Sequence, residues 1–382
     1  MTADQPPPVC VVAGTRPNFM KVAPVLRALT SRGIGFRLVH TGQHFDASMS
    51  DVFFRDLGMA APDTSLQAGG GSHATQTAAV LVGMEAELQR TRPRLLVVVG
   101  DVTSTLSASL AAAKLGIPVA HVEAGLRSRD WTMPEEINRV LTDQLSDLLL
   151  IPSEDARENL LREGIAAERI VFVGNVMIDS LHHALTRTTD VLQRLRLDAK
   201  GYAIATMHRP ANVDDDAALG ASMGILAAVA QKLPVLFPVH PRTRQRLSTS
   251  GLADKLCNDA PHLRIVEPLG YIDFAALVKN ATFALTDSGG IQEETTALGV
   301  PCITLRESTE RPITVTEGTN VVVGLNRERV LVEVARILNG EGKRGTLPRG
   351  WGGRAAIEIA ACVERFLAGE PAPKTAHLAP AS

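Results

Sequence analysis

Cysteine is scarce in this chain: Cys10, Cys257, Cys302 and Cys362 are scattered through 382 residues. No CxxC occurs and no histidine stands at metal-ligand spacing, so neither structural zinc nor a disulfide framework is expected. A formal net charge of −2 gives no general pull toward nucleic acid or an anionic membrane. No apolar run approaches the ~20 residues a spanning helix needs. The N-terminus, MTADQPPP, lacks the positive region and apolar segment of a signal peptide. A cytoplasmic protein is expected, with neither membrane nor nucleic acid as partner. GxGxxG and GxxxxGK[ST] are both absent, which removes the dinucleotide fingerprint and the P-loop. No serine sits in a GxSxG context, so a nucleophile–His–Asp set cannot be assembled.

What is present is an alternation of short β-rich apolar runs with longer amphipathic ones, the pattern of an open parallel α/β sheet. Strands are expected at Val9–Ala13, Phe36–Thr41, Leu95–Val99, Val119–Val122 and Leu148–Ile151. The pattern restarts at Tyr202–Thr206, Val235–Val239, Leu263–Val266, Ala281–Thr286 and Cys302–Leu305. Helices are expected between them, among them Met20–Ser31, Glu135–Asp147 and Ile291–Leu298. The fold class is therefore α/β, with two Rossmann-like doubly wound domains facing a cleft. The simplest division is residues 1–180 and 181–353, joined within Gly174–Thr188. A helix at about 354–368 can pack back onto the first domain. Residues 1–8 and 370–382 have little core-forming content and are expected to be mobile tails.

In open α/β sheets ligands bind beyond the carboxyl ends of the strands. Here those ends carry Arg16, Gln43-His44, Asp101, Glu123, His208-Arg209, His240, Asp287-Ser288 and Arg306. Asp287 is followed by Ser288-Gly289-Gly290 and then a helix-compatible stretch. Such a turn lets an anion approach the backbone N–H groups of a helix start, phosphate being the natural one. It is equally a plain tight turn, and Glu293 and Glu294 equally plain complements of the helix dipole. In GTRPNFMK, Arg16 and Lys21 lie near a helix start and can neutralise a phosphate, the alternative being two solvated cations. Asp101 in GDVTST, Glu123 in HVEAGLRS and Glu135 in PEEINR gather carboxylates that can serve as proton donors and acceptors. Their structural alternatives are a helix cap for Asp101, an ion pair with Arg127 for Glu123, and the helix dipole for Glu135. His208 can donate to a phosphate or act as an acid. His240 is the contact candidate in an otherwise solvated basic stretch. No metal is expected, because the acids lack matching histidines.

Taken together, GTRPNFMK, TGQHFD, GDVTSTL, HVEAGLRS, PEEINR, GNVMIDSL, MHRPANVD, TDSGGIQEE and STERP resemble the non-hydrolysing UDP-N-acetylglucosamine 2-epimerases, in order from about Val9 to Val323. The resemblance implies a glycosyltransferase-B-like pair of domains, a UDP-sugar substrate, no cofactor, and usually a homodimer. It implies interconversion of UDP-GlcNAc and UDP-ManNAc for surface polysaccharide synthesis. By motif, Asp101, Glu123, Glu135 and His208 match catalytic positions. Arg16, Lys21, Ser288, Gly289, Gly290 and Glu294 match UDP-binding ones, with Glu294 expected on the ribose. His240 and Arg306 are added as substrate contacts from their strand ends. Gln43 and His44 match an activating second UDP-GlcNAc site of some bacterial members. The chain departs from those members at Phe45-Asp46 and at Pro210, which leaves activation by substrate open. A 2-epimerase of UDP-2,3-diacetamido-glucuronic acid, a hydrolysing 2-epimerase and a glycosyltransferase on the same fold are the alternatives.

Overall fold

A computed structural model of the chain describes residues 8–42, 57–251 and 260–370, apart from the side chains of Arg16 and Pro17. Residues 1–7 and 371–382 of the expected tails, and Gln43 and His44, lie outside the described residues. The chain divides into two compact units, residues 1–180 with 349–382, and residues 181–348.

Among the described residues, the first unit has one parallel seven-stranded sheet. Its strands are β1 (Val9–Ala13), β2 (Phe36–His40), β3 (Thr64–Ser65), β4 (Leu95–Val99), β5 (Val119–Val122), β6 (Leu148–Ile151) and β7 (Ile170–Phe172), in the order β3-β2-β1-β4-β5-β6-β7. β1 (VCVVA) and β4 (LLVVV) are buried at every residue, as parallel strands with helices on both faces must be. The helices are α1 (Arg16–Ser31), α2 (His73–Thr91), α3 (Thr103–Lys114), α4 (Pro134–Leu145), α5 (Glu154–Arg162) and α6 (Val176–Leu185). α2 starts where Ser72 Oγ accepts the Thr75 N–H at 3.2 Å, a side-chain cap on an otherwise orphaned donor.

The second unit repeats the plan with six strands: β8 (Ala203–Thr206), β9 (Val235–Pro238), β10 (Leu263–Val266), β11 (Phe283–Thr286), β12 (Cys302–Thr304) and β13 (Asn320–Val322), in the order β10-β9-β8-β11-β12-β13. Its helices are α7 (Val191–Arg194), α8 (Pro210–Val213), α9 (Asp216–Ala230), α10 (Pro241–Thr249), α11 (Tyr271–Asn280), α12 (Gly289–Leu298), α13 (Pro312–Thr316) and α14 (Arg327–Leu338). The last helix, α15 (Ala355–Leu367), belongs to the first unit.

Strand order reverses in each sheet between β1 and β4 and between β8 and β11. Those switch points open a crevice at the carboxyl ends of the strands, where doubly wound folds bind ligands. They bring together Gly14 with Val102 and Ser104 in one unit, and His208 with Asp287 in the other.

The boundary expected at residue 353 falls instead at 348. Trp351 is buried in the first unit and its indole N–H donates to Pro152 O at 3.2 Å. Asp179, on α6, accepts the first N–H groups of α15 from Ala355 and Ala356 at 3.1 and 3.0 Å. These buried contacts draw residues 349–353 into the first unit. The division after residue 180 lies inside α6, within the Gly174–Thr188 stretch where the two domains were expected to join. Among the described residues, no helix is long and apolar enough to cross a membrane.

Candidate active site

In the first unit the site is built on the ends of β4 and β5, which pair in parallel with Val99 beside Val122. Glu123 follows β5 with φ of +72°, a conformation disfavoured for any residue but glycine and characteristic of functional sites. Its carboxylate is buried and ion-paired with Lys21 of α1. Gly100, on the neighbouring strand end, leaves room for that pair: a Cβ there would lie 3.2 Å from Glu123 Oε2 and 3.3 Å from Lys21 Nζ. Lys21 thus faces a carboxylate of its own unit. Arg127, offered by the sequence as the Glu123 partner, instead binds Asp143 and Glu163 at 2.7 and 2.6 Å.

Asp101 is part-exposed and stands just before Val102, the N-cap of α3. Its Oδ2 accepts both Nε and Nη2 of Arg139 at 2.9 and 2.6 Å. Asn138 Nδ2 donates to the Asp101 carbonyl at 2.9 Å. Both partners lie on α4, and so does Glu135. At i, i+3 and i+4 those three residues share one face of the helix. The next residue, Glu136, accepts the N–H groups of Ser128 and Arg129 at 2.9 and 2.7 Å and Arg139 Nη1 at 2.7 Å. Burial pushes its pKa up, but those donors outweigh burial and hold the carboxyl below its ordinary range. Glu136 is therefore a fixed anion that pins the loop before α4. Arg16 opens α1, and its side chain lies outside the described part of the chain.

In the second unit Asp287, fully buried at the end of β11, organises the switch point. It accepts the backbone N–H groups of His208 and Arg209 at 3.0 and 2.9 Å and the Asn212 amide at 3.1 Å. His208 Nδ1 stands 3.3 Å from Asp287 Oδ1. Burial lowers the His208 pKa, Asp287 opposes that, and Arg209, Arg306 and Arg242 add to the lowering. The net direction is down, toward a neutral ring until an anion arrives. The His240 ring lies 5.7 Å from that of His208. His240 Nδ1 accepts the Arg242 N–H at 3.2 Å, capping α10.

A cationic cluster surrounds the start of α12. Glu310, buried, is approached by three guanidinium groups: Arg306 at 2.8 Å, Arg311 at 2.8 Å and Arg209 at 3.6 Å. Arg311 also reaches Glu293 at 2.8 Å, so Glu293 complements an arginine as well as the helix dipole. Ser288 is the N-cap of α12 and Gly289 its first residue. The Ser288 N–H is taken by Thr286 Oγ1 at 2.9 Å, while the Ser288 side chain makes no capping bond. Sequence reading missed Glu310, Arg311 and Arg139 as site residues, although STERP and PEEINR contain all three.

Glu294, buried on α12, accepts the Tyr271 hydroxyl on Oε1 at 2.8 Å, and its Oε2 has no protein hydrogen-bond partner. Burial, with help from Glu293, raises its pKa to about 7 against the Tyr271 bond. A carboxyl raised in the folded state stabilises the fold below its ordinary value of 4.5, and that contribution is lost as pH rises through about 7. Glu294→Gln should therefore gain stability relative to the parent between pH 5 and pH 8, by on the order of a few kcal/mol. Thermal unfolding at both pH values checks this; an equal difference at each pH would remove the shift. Among the described residues no group of three or more His, Cys, Asp or Glu is placed to hold a metal ion.

Residues 27–364 match the family described as UDP-N-acetylglucosamine 2-epimerase. A UDP-N-acetylglucosamine 2-epimerase of Methanocaldococcus jannaschii is 42% identical over 86% of this chain and 92% of its own length. A UDP-2,3-diacetamido-2,3-dideoxy-D-glucuronate 2-epimerase of Pseudomonas aeruginosa is 40% identical over 92% of this chain and 98% of its own. The crystal structure of the M. jannaschii UDP-GlcNAc 2-epimerase, in complex with UDP-GlcNAc and UDP, superposes with a TM-score of 0.86 at 40% identity, covering 93% of this chain and 99% of that one. The strand-end carboxylates, the glycine turn and the arginine cluster thus sit in a chain that belongs to the UDP-N-acetylglucosamine 2-epimerase family.

Proposed function

We propose that this chain interconverts UDP-GlcNAc and UDP-ManNAc by eliminating UDP and adding it back. The observation that carries the reading is the carboxylate pair Asp101 and Glu123 on neighbouring strand ends, each held by a cation, in a member of this family. The C2 hydrogen of a GlcNAc unit is not acidic, because no carbonyl lies next to that carbon. Breaking the C1–O bond, with its electron pair leaving on UDP, makes C1 electron-poor. The C2 proton then passes to a carboxylate and the C–H electrons form the C1=C2 bond of 2-acetamidoglucal. Re-addition of UDP, with a proton delivered to the opposite face of C2, gives the epimer. Two faces call for more than one acid/base group, and Asp101 and Glu123 take these roles, with Glu135 a third carboxylate on the same helix face as Arg139.

In this reading UDP is held by the Ser288-Gly289-Gly290 turn, with Arg16, Arg306 and His240 as further contacts and Glu294 on the ribose. His208 assists the leaving diphosphate, because an arriving anion favours the protonated ring. Lys21 pairs with Glu123 and is a UDP contact in this reading. The reaction is redox-neutral and calls for no cofactor. The reading includes a cytoplasmic homodimer. In deuterated buffer, NMR should show UDP-ManNAc formed from UDP-GlcNAc with deuterium at C2. Product that keeps only protium there sinks the elimination route, and free ManNAc plus UDP as main products favours a hydrolase. The P. aeruginosa relative supports a second substrate, UDP-2,3-diacetamido-2,3-dideoxy-glucuronate, and the same exchange assay run on both sugars ranks them.

A further inference from the structure

α4 departs from the usual design of a helix on a parallel sheet. Its buried residues are Glu136, Asn138, Arg139, Thr142 and Asp143, all polar. Two of them hold Asp101 directly, as described above. Asp143 lies one helical turn beyond Arg139, is completely buried, and does not reach Asp101 itself. Its Oδ1 is 2.6 Å from His121 Nδ1, and its Oδ2 accepts the Gly125 N–H at 3.1 Å and pairs with Arg127 at 2.7 Å. Burial works against ionising Asp143, but His121 and Arg127 outweigh it and hold its carboxyl below the ordinary range.

His121 is also completely buried, on β5, and its other ring nitrogen, Nε2, is 2.8 Å from the Gly100 carbonyl. That carbonyl belongs to the peptide leading into Asp101. The Gly125 amide belongs to the turn that follows Glu123. One buried carboxylate therefore reaches both strand-end turns, one through a histidine and one directly.

We propose that Asp143 is a positioning residue for the carboxylate pair: acting through His121 it fixes the Gly100–Asp101 peptide, and through Gly125 it fixes the turn after Glu123. This rests on the proton-transfer roles given above. Both ring nitrogens of His121 are engaged, one by a carboxylate and one by a carbonyl, so the buried ring is held at both ends. A histidine kept in one orientation by a buried carboxylate is a known means of fixing a reacting group to the small tolerance that catalysis demands.

Three measurements test the proposal. In the free protein, amide NMR should show the Asp101 and Gly125 N–H signals displaced in Asp143→Asn, while signals of the second unit keep their places. This arm needs no activity, so it stands apart from the epimerase reading. Asp143→Asn should lower kcat for C2 exchange ~10–100-fold while the Kd for UDP stays within about twofold. The double variant Asp101→Asn/Asp143→Asn should lose less than the product of the two single losses, since Asp143 acts in part through Asp101. His121→Gln, which loses the ring but keeps an amide donor, serves if Asp143→Asn does not fold, with the same three expectations for its rate, UDP affinity and pairing with Asp101→Asn. Asp101 and Gly125 amide signals unmoved by Asp143→Asn, losses that multiply in full in the double variant, or UDP affinity falling with kcat would each overturn the proposal. An absence of any epimerisation by the parent protein, with those amide displacements present, would overturn the epimerase reading and leave the buried tie standing.

Discussion

Glu123→Gln and Asp101→Asn should each lower the rate of C2 exchange by ~10²–10⁴-fold, the usual contribution of a general acid or base, while UDP affinity is kept. Both substitutions preserve shape and remove charge. Affinity should survive because the groups assigned to UDP in the second unit, at the start of α12 and around Glu310, are untouched. The two variants differ in what they leave behind. Asp101→Asn leaves Arg139 with its second carboxylate, Glu136, at 2.7 Å, and the fold should barely notice. Glu123→Gln leaves the buried Lys21 ammonium without its ion-pair partner, and an unpaired buried charge costs up to about 3–5 kcal/mol. Glu123→Gln should therefore also melt earlier, and its rate must be read below its own unfolding transition. Calorimetry with UDP, thermal unfolding and deuterium exchange at C2 separate these effects. A loss below about tenfold in a folded variant would retire that residue as a proton carrier. It would then stand as an ion-pair partner only.

How much of this was legible in the sequence depends on where the information sits. β1, β4 and β6 have the bounds that their apolar runs suggest, because strands buried on both faces leave an unbroken hydrophobic signature, and β5, which carries His121, and the part-buried β10, which carries Arg264, match as well. β3 (Thr64–Ser65), β7 (Ile170–Phe172) and β13 (Asn320–Val322) were not expected. They are only two or three residues long: β3 is polar, and β7 and β13 are shorter than the runs read as strands. α10 (PRTRQRLST) was read only as a basic face, since its buried residues are just Thr243 and Leu247.

The same division holds at the site. Asp101, Glu123, His208 and Asp287 were visible because each polar residue directly follows an apolar run. What each one touches was not visible. Glu123 has Arg127 four residues away yet pairs with Lys21, because the turn that puts Glu123 at positive φ carries it over Gly100 toward α1. Arg139 reaches Asp101 from a residue 38 positions later. Glu310 collects arginines from the end of β8, the end of β12 and its own neighbour. Pairings of that kind are set by strand order and helix packing, which a local pattern does not encode.

Gly289→Ala should weaken UDP binding by tenfold or more and should not stabilise the protein, although helix propensity alone argues the reverse. Gly289 is the first residue of α12 and is not at positive φ, so its backbone tolerates alanine. Replacing a helical glycine by alanine stabilises by about 1 kcal/mol where there is space. Here there is none: a Cβ would sit 2.8 Å from Arg311 Nη1 and 2.8 Å from Glu310 Oε1. Neither neighbour moves cheaply. Arg311 is tied to Glu293 and Glu310, each at 2.8 Å, and all three are buried. Shifting Glu310 also disturbs Arg306 and Arg209, and breaking buried charge pairs costs more than the propensity gain. Gly220 in α9 is the control, because a Cβ there meets nothing within 4 Å. Gly220→Ala should raise the melting temperature and leave UDP binding alone. Titration calorimetry with UDP and thermal unfolding of both variants decide the matter. If Gly289→Ala binds UDP as the parent does, the phosphate is not held at this turn, and the arginines around Glu310 serve the fold rather than the nucleotide.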